Sequence, residues 1–71
     1  MTRGERIVLE ETVGAAQRGH PLPKTYFDSF PHKRKIAKDL LWRGYLESIG
    51  PFGDLLNATP AGYDAVKPNR K

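Results

Sequence analysis

The chain contains no cysteine, which removes disulfides and every thiolate-based zinc site at once. That fits a reducing compartment. Long apolar runs are missing as well. The longest aliphatic stretch is Ile7-Val8-Leu9, against about 7–15 residues for the apolar region of a signal peptide and about 20 for a membrane span. A cytoplasmic protein with no membrane partner is therefore expected. Acidic residues are outnumbered, 8 against 12 lysines and arginines, and the resulting net charge of +4 favours polyanionic partners. Phosphate-binding glycine patterns are absent too: Gly50-Pro51-Phe52-Gly53 is turn chemistry and matches neither a Walker nor a dinucleotide motif.

What remains is a soluble, globular balance: 71 residues, 38% hydrophobic and 28% charged. A chain of this length buries about 60% of the surface its unfolded form exposes, enough for one core and not for two. One domain over residues 1–67 is expected, followed by a loose basic tail, Pro68-Asn69-Arg70-Lys71. Domains this small often draw on a disulfide, a metal or a partner chain. Without cysteine, either the core packs well alone or the protein is an oligomer.

Arg3 to Arg18 reads as a first helix, with Leu9, Val13 and Ala16 at helical spacing and Gly19 as its stop. The prolines of His20-Pro21-Leu22-Pro23 dictate a loop. Lys24 to Phe30 is expected to be a short helix that supplies aromatic bulk to the core, with Tyr26 or Phe27 beside Phe30 on one face. A third helix starts at Pro31, whose missing N–H costs nothing in a first turn, with Ser29 placed to help cap it. It runs to about Arg43. At 100° per residue Ile36, Ala37, Leu40 and Leu41 form its apolar stripe, while Lys35, Lys38 and Trp42 lie opposite with Arg34 at the edge. Gly44 suits the left-handed position after the helix.

Two runs, Tyr45 to Ile49 and Asp54 to Ala58, flank the turn residues Gly50 to Gly53 and predict a β-hairpin. Thr59 as N-cap and Pro60 at the first position then open a last short helix, Ala61 to about Lys67. The expected core is Leu9, Val13, Phe27, Ile36, Leu40, Leu41, Leu46, Leu56 and Val66.

Leu41-Trp42-Arg43-Gly44-Tyr45-Leu46, followed after the turn by Asn57-Ala58-Thr59-Pro60-Ala61-Gly62, resembles the "L-x-x-x-G-Y-L … L-T-P-x-G" phrase of winged-helix regulators such as the MarR-like and PadR-like families. The resemblance spans roughly Ile36 to Val66. It implies a mainly helical α+β fold, a winged helix-turn-helix with three helices, a two-stranded wing and a short C-terminal helix, whose third helix reads DNA. Two positions depart from the phrase. The wing tip Gly50 to Asp54 carries no Lys or Arg, and Ala58 stands where a larger apolar residue is usual.

The functional signal is the run His32-Lys33-Arg34-Lys35, with Lys38, at the start of the third helix. Cations in a first turn oppose the helix dipole by about 0.3–1 kcal/mol each when exposed. A phosphate would offset this, and the same part of a recognition helix reaches base edges in the major groove. Arg34, Lys35 and Lys38 are the principal candidates, with Lys33 nearer the core stripe. Arg3, Arg18 and the Arg70-Lys71 tail could add phosphate contacts. The competing reading is a solvated basic face near no partner, or one paired with Glu10, Glu11 or Asp28. Trp42 is expected to lie under the hairpin, whereas Phe52 at the tip has little to bury it.

His20 and His32 have no carboxylate at a metal-ligand interval, so no metal or cofactor is expected. Asp28, Ser29 and His32 sit beside Pro31 with no oxyanion-hole motif, so catalysis is not expected either. The leading expectation is a regulator of double-stranded DNA, acting as a homodimer or beside a protein partner because one small module offers a limited footprint. The alternative is a protein-interaction module or inhibitor acting through Trp42, Phe52 and the hairpin. RNA would attract the same basic face.

Overall fold

The computed structural model describes residues 2–67, and the proposed basic tail, with Arg70 and Lys71, lies outside them. The order is α1 (Arg3–Gln17), a one-turn 3-10 helix (Tyr26–Ser29), α2 (Pro31–Trp42), β1 (Leu46–Ile49), β2 (Leu55–Ala58) and α3 (Pro60–Val66). This is a winged-helix-like α+β topology, and α2 is the third helix of the sequence reading.

A capping box opens α1: the Thr2 hydroxyl accepts from the Glu5 N–H at 3.2 Å, and the Glu5 carboxylate accepts from the Thr2 N–H at 3.0 Å. The Thr2 bond, and secondarily the Arg43 guanidinium, hold the Glu5 carboxyl below its ordinary pKa. The inward face of α1 is Val8, Leu9, Thr12, Val13 and Ala15, while Ala16 is only half-buried. Thr12 is tolerated there because its hydroxyl donates to the Val8 carbonyl one turn back at 2.9 Å.

A Schellman pair closes α2. Gly44 N–H donates to the Leu41 carbonyl at 3.3 Å and Tyr45 N–H to the Leu40 carbonyl at 2.9 Å. Gly44 has a φ of 84°, a conformation that a side chain would strain. At the other end of α2 the expected Ser29 cap is not made. Phe30 occupies the N-cap position, without a side-chain hydrogen bond to the first turn.

The wing is antiparallel, in a register that pairs Leu46 with Ala58 and Ile49 with Leu55. The proline loop contributes more than a connection. Leu56 N–H donates to the Leu22 carbonyl at 2.7 Å and Lys24 N–H to the Asp54 carbonyl at 2.6 Å, so this segment bridges the free edge of β2. Pro23 is admissible there because an edge position does not require its missing N–H.

Six of the nine expected core residues are buried: Leu9, Val13, Phe27, Leu40, Leu46 and Leu56. Ile36, Leu41 and Val66 pack against this core but stay half-buried, and Val8, Ala37 and Ala58 complete it. Of the three aromatic residues before α2, only Phe27 enters the core. Tyr26 sets its edge against Phe27 at 5.0 Å and, like Phe30, remains exposed, because one 3-10 turn can direct only one of these rings inward.

Thr59 joins α3 to the α2–β1 junction. Its hydroxyl accepts from the Gly62 N–H at 3.2 Å and donates to the Gly44 carbonyl at 2.5 Å, and its own N–H donates to the Tyr45 carbonyl at 3.1 Å. Thr59→Ala loses the cap and the bond to Gly44 together and is expected to lower stability by about 1–3 kcal/mol. Thr59→Ser keeps both hydroxyl bonds and should lose far less. Urea denaturation of the two variants checks the difference.

Candidate nucleic-acid interface

The basic run divides once folded. Lys33 is half-buried: its Nζ lies 3.1 Å from a Glu11 carboxylate oxygen and 5.3 Å from the centre of the Phe30 ring, which ties α2 to α1. Arg43 is paired as well, although exposed, bridging Glu5 at 2.5 Å and Asp39 at 2.9 Å. Among the described residues, Arg34, Lys35 and Lys38 make no ion pair, and all three are exposed. His32 is exposed beside them in the first turn. Of the competing reading, pairing with a carboxylate holds for Lys33 through Glu11, while Arg34, Lys35 and Lys38 lie on a solvated face.

The first turn of α2 has no acidic residue and no side-chain cap. Its leading amides and the run of cations thus face the same end of the helix, an arrangement suited to an anion. Beside it, a groove of about 290 Å³ runs between α2 and the segment that bridges β2. Lys24, Arg34 and Lys38 line it together with one carboxylate, Asp28, over a floor of Phe27, Ala37 and Leu56. Lys24 had no signal in the sequence, since only the edge pairing of Leu22 to Lys24 brings it beside α2. A larger groove of about 470 Å³, between α1 and α3, carries Glu10 and Asp64 among its lining residues and suits a polyanion less well.

Trp42 corrects the sequence reading. It falls, as expected, on the stripe opposite Leu40, but the hairpin does not cover it and it is 88% exposed. The Schellman turn accounts for this. It swings the chain so that Tyr45, and not Trp42, packs against the core where β1 begins. Phe52 is 89% exposed at the wing tip, as its position in the turn required. His20 is exposed, and the wing tip Gly50 to Asp54 presents no cation. No helix among the described residues is long and apolar enough to cross a membrane.

No protein-family model, curated protein or solved structure matches the chain. The winged-helix-like assignment accordingly stands on element order, the wing register and the contacts at Thr59 and Gly62.

Proposed function

We propose that the protein binds duplex DNA without catalysis, by laying the outward face of α2 in the major groove, and that it acts as a small transcriptional regulator. The observation that carries this reading is the exposure of Arg34, Lys35 and Lys38 on α2 with no carboxylate partner among the described residues. The neighbouring cations Lys33 and Arg43 are engaged in fixing α2, so its two kinds of basic residue have separate roles. Lys24, at the rim of the same groove, is placed for a further phosphate contact. A homodimer or a DNA-bound partner would extend the limited footprint of one module.

A salt series tests the proposal. Neutralising roughly four to six phosphates gives a log–log slope of affinity against salt of about −4 to −5. Replacing Lys35 and Lys38 together with alanine should flatten that slope by about 2 if both touch phosphate, and should relax sequence preference instead if either reads a base. Phe52→Ala should leave the slope unchanged, because an apolar tip releases no counterions.

The exposure of Phe52 and Trp42 supports a second reading, a protein-interaction module. Failure to bind any duplex at low salt, together with loss of a protein partner on Phe52→Ala, would decide for it.

A further inference from the structure

We infer that Trp42 is a stacking platform for an unpaired base in the nucleic acid held by the lysines of α2, which makes a junction between duplex and single strand a preferred form of the target. The inference rests on the reading of α2 as a nucleic-acid surface and adds to it a residue and a substrate form.

The indole is the only one in the chain and is 88% exposed. Lys38 and Lys35 precede it by four and seven residues on the same outward stripe, about 6 and 10.5 Å back along the helix axis at the usual rise. Its sequence neighbour Arg43 is turned away, paired with Glu5 and Asp39 and lying over the Tyr45 ring at 5.4 Å. Asp39, the one carboxylate a turn before Trp42, is therefore already paired. Among the described residues no ring or cation stacks on the indole, so its faces are open.

Charge selects the occupant. A tryptophan that anchors a protein partner usually sits in a ring of contacts that exclude water. Here Lys35 and Lys38 share its stripe and attract a polyanion, and the bordering Asp39 is paired with Arg43. Within an intact duplex each base is covered above and below and offers only its edge, whereas an unpaired base offers a π-face of the kind that aromatic side chains stack on in single-strand binding proteins. The lysines would hold the backbone while the next base leaves the stack to meet Trp42.

Because Trp42 is the sole tryptophan, its fluorescence reports this position alone. The experiment uses the full chain with two probes, a blunt duplex and the same duplex carrying a single-stranded overhang. Emission should be quenched more strongly by the overhang probe. Trp42→Ala should weaken overhang binding by about 5- to 100-fold more than it weakens blunt-duplex binding, and Trp42→Phe should retain most of the difference. The double Lys35 and Lys38 variant should weaken both probes alike. So exposed a side chain has little part in folding, and the Trp42→Ala melting curve should overlay that of the parent. Unquenched emission in a bound complex, or equal loss on both probes in Trp42→Ala, would overturn the inference and leave the α2 reading standing. No binding to either probe at low salt would overturn both.

Discussion

Gly62→Ala is expected to destabilise the domain by about 3 kcal/mol or more, although the same exchange inside an unobstructed helix stabilises by about 1 kcal/mol. The sign is set by what the new methyl meets. A Cβ at Gly62 would collide with the Tyr45 carbonyl oxygen and lie 3.1 Å from the Ala58 Cβ. The Tyr45 carbonyl cannot retreat cheaply, because it accepts the Thr59 N–H and belongs to the turn whose Gly44 carbonyl accepts the Thr59 hydroxyl. Relief requires lifting α3 away from the wing, with loss of the Thr59 cap as well. Gly14→Ala is the matched control. Its Cβ would meet only the flexible end of Arg18 at 3.3 Å, so it should be neutral or slightly stabilising. Denaturation midpoints with unchanged m-values check both. A stabilised Gly62→Ala would mean that α3 does not approach Tyr45 this closely.

The same contact explains a departure noted in the sequence. Ala58 is buried beside the position where Gly62 has no side chain, so a larger residue there would press on the first turn of α3. The small residue belongs to the close approach and does not weaken the winged-helix-like assignment.

Features written in local chemistry were legible in the sequence. Gly44 ends α2, Thr59 and Pro60 begin α3, and the hairpin runs lie within one residue of β1 and β2, because caps and turns depend on near neighbours. What was not legible depends on which distant segment arrives. The helical wheel placed Trp42 opposite Leu40 correctly, yet whether the hairpin would cover that face turned on the exit angle after Gly44. Lys24 joins the candidate interface only through the pairing of Leu22 and Lys24 with β2, which a proline-containing loop does not announce. Lys33 and Arg34 are adjacent in sequence and alike in charge. Only the approach of Glu11 on α1 fixes one and leaves the other outward.

Leu40→Ala is expected to lower stability by about 2–5 kcal/mol, a large share of the total of about 5–15 available to a folded domain. Leu40 has no exposed surface and lies in the cluster that joins α1, α2 and the wing, so truncation leaves a cavity at their junction. The neighbouring Leu41→Ala should cost less, since Leu41 is only half-buried and solvent can fill the space. The comparison also bears on function, because Leu40 is on the opposite side of the helix from Lys35 and Lys38. If α2 binds DNA through its outward face, Leu40→Ala should weaken apparent affinity only in proportion to the unfolded fraction. Lowering the temperature toward that of maximum stability should then restore it, with the salt slope unchanged. The double Lys35 and Lys38 variant should behave in the opposite way, keeping its stability while its salt slope flattens at every temperature. A Leu40→Ala protein that stays fully folded yet binds weakly would show that the interface reaches the inward side of α2.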